Sequence, residues 1–263
     1  MSQTEKPQGR IVYEKDGNVG RITFDNPPAH NALSRAMWQK LGDTCTEIAA
    51  DRSVRVVTFR GAGGKSFVSG NDISGFLSFE SGKDGLAYEK EMDGFIAAVE
   101  ALPQPTVAVI EGWALGGGLG ISLACDFRIA TPNSKFGYPV GKTLGNCLSM
   151  KSYTRLVAHV GVAHAKRILL YGEMPTAADW QALGVVLDVV ERDELDAKVA
   201  EVVERLASMA PLTVQASKEA IRRQVYANQP DLDDMVELVY GSEDFRNGVR
   251  NFMEKKPQNW LGR

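Results

Sequence analysis

The chain predicts an α/β layered domain that passes into a helical tail, and three observations carry that reading. Continuous β-branched runs such as VRVVTF at 54–59 and TVAVI at 106–110 mark strands buried on both faces. Helix-like stretches alternate with them through the first half, as layered α/β architectures require. Beyond Ser149 the pattern is almost wholly helical.

In chain order, IVYEK at 11–15 and GRITF at 20–24 flank Asp16-Gly17-Asn18, a turn signal between strand-like segments, and read as a hairpin. The loop Asn26-Pro27-Pro28-Ala29-His30 leads into a helix that Asn31 or Ser34 caps. Met37, Leu41, Cys45 and Ile48 line one face of that helix. After the strand at 54–59 come a glycine-rich turn and a polar helical stretch to Ala101, stopped by Pro103 and Pro105. The strand at 106–110 is followed by a loop over 112–120, a short helix at 121–125 and a strand at 127–130. In 193–209, Leu195, Val199, Val202, Leu206 and Met209 step at helical spacing until Pro211. Further helices are expected at 212–227, 231–240 and 242–254. No low-complexity linker divides the chain, so no independent second domain is expected.

Composition narrows the function. Lys and Arg number 30 against 33 Asp and Glu, a net charge of −3, so no basic field exists to hold nucleic acid. An anionic ligand must be met by a few local groups. The three cysteines, Cys45, Cys125 and Cys147, are irregularly spaced and read as reduced thiols. MSQTEKPQGR lacks the apolar core of a signal peptide, and no apolar run approaches the roughly 20 residues that cross a bilayer. A cytoplasmic protein without membrane association is expected.

Several chemistries fail on spacing. Gly61-Ala62-Gly63-Gly64-Lys65-Ser66 ends like a phosphate-binding loop, but Phe59 stands where its first glycine is needed. No dinucleotide fingerprint and no G-x-S-x-G elbow occur. His30, His159 and His164 do not form a metal set, and no metal is expected. What remains is a pair of segments, Ser66 to Ile73 and Glu111 to Gly120, each following a strand. Three consecutive glycines at a helix start leave backbone N–H groups that no side chain shields, at the positive end of the helix dipole. A second N–H from another loop completes a site for a developing oxyanion; alternatively the glycines serve only close packing.

Together these segments resemble the crotonase superfamily, the enoyl-CoA hydratase/isomerase family. Asn26 to Ser34 is similar to its N-x-P…N-A-L-S loop, and Phe67-Val68-Ser69-Gly70-Asn71-Asp72-Ile73 to its A-F-x-A-G-x-D-[IL] segment. Gly112 to Gly118 resembles its G-x-A-x-G-G-G stretch, with Cys125-Asp126 and Lys135-Phe136-Gly137 following as in the family. Ser242-Glu243-Asp244 and Phe252 to Pro257 are similar to its T-E-D…F-x-E-K-R-x-P tail.

The resemblance implies a spiral of ββα repeats over 11–200, after a polar tail at 1–10, and a helical trimerisation region at 201–263. It implies an acyl-CoA thioester as substrate, with coenzyme A entering as part of it and no tightly bound cofactor. A homotrimer or dimer of trimers is the implied assembly. By position, the N–H groups of Asn71 and Gly117 hold the thioester oxygen as it becomes an enolate. Ala29, Val68, Ser69, Gly70, Asp72, Ile73 and Gly116 fall in substrate-binding segments, and Val68-Ser69-Gly70 is expected on the adenine side. Phe252 and Lys255 are expected to reach a neighbouring subunit's coenzyme A, Lys255 as a phosphate partner.

This chain also departs from the family. The two glutamates of family hydratases fall on Gly120 and Val140, neither of which transfers a proton. The reaction expected is therefore other than plain hydration, such as decarboxylation or C–C cleavage; the alternative is a catalytically silent acyl-CoA-binding subunit. Tyr138 and Cys147 are the replacement acid/base candidates; a nearby helix N-terminus lowers a thiol pKa in principle, but burial as a small apolar residue is the role expected first of Cys147. Lys142 lies in the same loop, and Asn146 is expected to cap that helix or polarise substrate. Glu89 and Glu91, on the polar helix, are expected to face solvent.

Overall fold

The computed structural model describes residues 9–263; residues 1–8 of the polar tail lie outside them. The elements run β1 (Arg10–Asp16), β2 (Val19–Asp25), α1 (Arg35–Ala50), β3 (Val56–Gly61), β4 (Ser66–Val68), α2 (Gly82–Glu100), β5 (Thr106–Ile110), β6 (Trp113–Leu115) and α3 (Gly117–Ala124). They continue as β7 (Phe127–Ala130), β8 (Lys135–Gly137), α4 (Val140–Thr143), α5 (Met150–Leu170), α6 (Ala177–Ala182) and β9 (Asp188–Val189). Four helices close the chain: α7 (Leu195–Ala207), α8 (Pro211–Val225), α9 (Asp233–Tyr240) and α10 (Glu243–Met253).

The hairpin forms as its turn signal predicts, with Gly17 at φ 58° between antiparallel β1 and β2. From β2 onward the main sheet is parallel, in the order β1-β2-β3-β5-β7-β9. A second parallel sheet, β4-β6-β8, lies beside it. Each of β3, β5 and β7 is followed at once by a short strand of the second sheet and then by a helix, so the chain repeats a ββα unit. That is the spiral the family resemblance implies.

The second sheet corrects the simple alternation read from sequence. β6 and the start of α3 occupy Trp113–Leu115 and from Gly117 onward, where a loop was expected to Gly120. The three-residue strands Ser66–Val68, Trp113–Leu115 and Lys135–Gly137 are too short to show a period of two.

The core divides by layer. Phe24, Phe59 and Phe67 stack with α1 residues Met37, Trp38, Leu41 and Ile48 on one side of the main sheet. Its other face packs Val56, Val107, Val109 and Ile129 against Leu195, Val199, Val202 and Val203 of α7. A third, aromatic cluster joins Phe76, Tyr240 and Phe245, bringing α9 and α10 over the segment that precedes α2. At ~25 cal/mol per Å² of apolar surface, each fully buried side chain of this size contributes about 2 kcal/mol. The carboxyl-terminal helices are thereby anchored beside the site rather than splayed from it. No helix among the described residues is long and apolar enough to cross a membrane.

Candidate active site

The loops following β4 and β6 meet at one cavity of about 380 Å³. On its backbone side, Leu33 donates its N–H to Gly70 O at 3.0 Å and accepts from Asp72 N at 2.8 Å. That bridge uses the groups flanking Asn71 and leaves the Asn71 N–H without an acceptor among the described residues. Gly117 opens α3, so its N–H has no intrahelical acceptor either. Gly116, at φ 52° and ψ −121°, makes the turn that aims the helix start; its N–H bonds Gly137 O at 3.0 Å. Glycine is needed at 117 because a Cβ there would run into the Asn71 side chain and Trp38. The Asn71 side chain is itself held from both sides, its Oδ1 accepting from Trp38 Nε1 at 3.2 Å and its Nδ2 donating to the Tyr88 hydroxyl. Two free donors thus sit on a fixed scaffold.

The opposite wall is built of side chains. Tyr240, from α9, donates its hydroxyl to Glu89 Oε1 at 2.5 Å, and Ser149 N–H donates to Glu89 Oε2 at 2.9 Å. Asn146 Nδ2 donates to the Tyr240 oxygen at 3.2 Å, which directs the tyrosine hydrogen toward Glu89. Asp93, one helical turn after Glu89, accepts from Ser149 Oγ at 2.6 Å. Burial first, with repulsion from Asp93, lifts the Glu89 carboxyl to about 7, against the pull of its two donors. Two polar atoms of this wall, the Tyr138 hydroxyl and Asn146 Oδ1, are buried without a hydrogen-bond partner.

Several expected residues meet here and others do not. Ser69, Gly70, Asn71, Ile73, Gly116, Gly117, Tyr138 and Phe252 line the cavity, with Asn146, Gly120 and Val140. Val68 is fully buried in β4, while Ala29 lies on the adjoining loop, where its carbonyl accepts from Ser69 Oγ at 3.3 Å. Asp72 makes a local bond, accepting Ser74 N–H at 2.9 Å. Phe252 reaches the cavity of its own chain, and Lys255 stands exposed at φ 55°.

Three expectations are corrected. Cys147 packs half-buried against the aromatic cluster, and burial pushes its thiol up to about 12, with the Glu89 charge adding to the effect. Desolvation of a thiolate outweighs any helix-terminus pull there. Ser149 rather than Asn146 caps α5, its Oγ accepting from Ser152 N at 3.2 Å. Glu89 is buried rather than solvent-facing, although Glu91 does turn outward to Arg35 at 2.8 Å. Glu89 is the residue the sequence reading missed; its spacing from Gly85, Met92, Asp93 and Ile96 places it in the buried stripe of α2.

The position of the absent glutamate is also occupied. A Cβ on Gly120 would stand 2.9 Å from Ile96 Cδ1 and 3.6 Å from the Tyr138 hydroxyl. Glu89 is the only carboxyl lining the cavity among the described residues, and no lysine or arginine lines it.

Comparison with known proteins identifies the family. The enoyl-CoA hydratase/isomerase family model matches residues 14–263. Crotonyl-CoA hydratase of Syntrophomonas wolfei is 31% identical over 96% of this chain and 98% of its own. Short-chain-enoyl-CoA hydratase of Clostridium acetobutylicum is 34% identical over 94% and 95%. Among solved structures, an enoyl-CoA hydratase/carnithine racemase from Magnetospirillum magneticum superposes with a TM-score of 0.78 at 32% identity, covering 96% of each chain. A methylmalonyl-CoA decarboxylase in complex with 2-nitronate-propionyl-CoA superposes with a TM-score of 0.88 at 25% identity, over 97% of this chain and all of the other. The chain belongs to the enoyl-CoA hydratase/isomerase family of the crotonase superfamily.

Proposed function

We propose that the protein converts an acyl-CoA thioester through an enolate, by a reaction other than plain hydration. The observation that carries this is the pairing of two free N–H donors, Asn71 and Gly117, with glycine and valine at the two glutamate positions. The thioester oxygen sits between the donors and gains charge as the enolate forms. Fixed donors in a water-poor site stabilise that charge without reorganising, an effect worth about 3 kcal/mol per donor. Water addition in the family's manner uses a pair of carboxyls, and with glycine at 120 and valine at 140 the described lining of this cavity holds one, Glu89.

Loss of carbon dioxide or cleavage of a C–C bond creates the enolate directly, and the likeness to the methylmalonyl-CoA decarboxylase complex supports this direction. The lack of a lysine or arginine around the cavity among the described residues fits it as well. A carboxylate brought there meets no lysine or arginine among the described residues, only His30 at the lining, and is destabilised relative to neutral carbon dioxide. Assembly as a homotrimer or dimer of trimers belongs to the same reading. α8 buries none of its residues and leaves the apolar side chains of Leu212 and Ile221 exposed, surface that a second copy would cover.

The test is a panel of CoA thioesters incubated with purified protein and read by mass spectrometry. Malonyl-, methylmalonyl-, 3-hydroxybutyryl- and crotonyl-CoA span the candidate reactions. The expected result is a decarboxylated or chain-shortened product. Crotonyl-CoA hydration at ordinary enzymatic rates, roughly 10 per second or faster, overturns the proposal.

A further inference from the structure

We propose that Glu89 moves the proton at the carbon beside the thioester carbonyl, a carboxyl supplied from α2 in place of those missing at Gly120 and Val140. The inference rests on the acyl-CoA reading above. Its first support is placement: among the described residues, Glu89 is the one carboxyl lining the cavity that the Asn71 and Gly117 donors also line. Its second is the way it is held. Tyr240 and Ser149 each donate one hydrogen bond, one to either carboxyl oxygen, so the group is oriented while lone pairs remain for a proton. Capping α5 does not account for it, because Ser149 caps that helix with its own hydroxyl. Burying an acid costs stability, and among the described residues no cation pairs with Glu89 to offset the cost.

The step balances without a co-reactant. The Glu89 carboxylate takes the proton from the α-carbon, the C–H pair becomes the new carbon–carbon π bond, and the carbonyl π pair moves onto the oxygen held by the two N–H groups. In the opposite sense, the protonated carboxyl returns its proton to an enolate released by loss of carbon dioxide or by C–C cleavage. A carboxyl lifted to about 7 serves either sense near neutral pH. The groups that influence it are Asp93 and Tyr88 on α2, Tyr240 on α9, Tyr138 after β8, and Cys147 and Tyr153 around the start of α5. Of the nearby cations, Arg155 acts on Asp93 and Tyr138 and pairs with Glu100 at 3.2 Å, and Lys151 acts on Asp93.

The experiment uses propionyl-CoA in deuterated water, with calorimetry for binding and mass spectrometry for deuterium at the α-carbon. Wild-type protein is expected to bind it and catalyse exchange, the rate rising with pH to a plateau above about 7. Glu89→Gln is expected to lose roughly 100-fold or more of the exchange while affinity stays within about threefold. Glu89→Asp, which keeps a retracted carboxyl, retains the pH dependence at a lower rate and covers the case of a Gln variant that folds poorly. Tyr240→Phe removes a donor that favours the carboxylate and moves the pH midpoint upward. Binding without exchange in the wild type, or full exchange by Glu89→Gln, overturns the role of Glu89. No binding of propionyl-CoA at all overturns the acyl-CoA reading, and this proposal with it.

Discussion

The two walls of the cavity are made by different means. On one side the working groups are peptide N–H donors of Asn71 and Gly117, placed by a β-bridge to Leu33 and by the start of α3. On the other they are side chains, Glu89, Asn146 and Tyr138, gathered from α2 and the connections around α4, with buried Tyr240 of α9 bonded to Glu89 outside the lining. A backbone donor keeps its chemistry whatever residue carries it, provided nothing fills the space before it. A side-chain group can be lost at one position and supplied from another. In the proposed reading, the first wall holds the step common to enolate chemistry and the second decides which reaction follows.

Gly117→Ala strikes the first wall and carries the largest expected effect. Its methyl runs into Asn71 and Trp38 and displaces the paired donor, so turnover falls by roughly 100- to 1,000-fold. Kinetics on whichever thioester the panel identifies checks this, and a melting temperature within a few degrees of wild type excludes global unfolding. Comparable turnover in the variant breaks the distinction between the walls.

Glu89→Gln affects stability as well as proton transfer, with a definite sign. Its carboxyl titrates near 4.5 when unfolded and near 7 when folded, so the folded state holds the proton more tightly. Stability from this group is present below pH 4.5 and is lost as pH rises through 7. Wild type relative to the Gln variant therefore loses up to about 3 kcal/mol between those limits, read by denaturant unfolding at several pH values. A constant difference across that range contradicts the buried carboxyl.

Gly120→Glu tests whether the second wall is interchangeable. The space beside Gly120 is taken by Ile96, so the glutamate costs about 1–3 kcal/mol of stability by overpacking. No crotonyl-CoA hydration appears until Ile96 is also reduced to alanine. Hydration by the single variant contradicts this. The smallest effect belongs to Tyr138→Phe, whose hydroxyl has no partner in the fold. Its stability stays within about 0.5 kcal/mol of wild type, while any role for that hydroxyl shows only in turnover.

The sequence revealed the two walls unequally. Continuous runs such as TVAVI at 106–110 and the glycines at 116–118 are local signals, so the main sheet and the Asn71 and Gly117 loops could be placed in advance. The three-residue strands β4, β6 and β8 carry too few residues to show alternation. On α2 the buried stripe includes Gly82, Gly85, Glu89 and Asp93, small and acidic residues that read as a solvent face. Only Met92, Ile96 and Val99 betray it. Asn146 and Tyr240, 94 residues apart, are joined by a hydrogen bond that no local pattern encodes. A helix start near Cys147 offers to lower its thiol pKa, but burial, which depends on tertiary packing, decides its titration.

The central claim, that the paired N–H donors stabilise an enolate, is tested most directly by binding of an enolate mimic. The measurement compares affinity for a nitronate analogue of propionyl-CoA with that for propionyl-CoA itself, in wild type and in Gly117→Ala. The account predicts a preference for the nitronate of roughly 100-fold or more in the wild type, abolished in the variant. Equal affinity of the wild-type protein for the two ligands would contradict it.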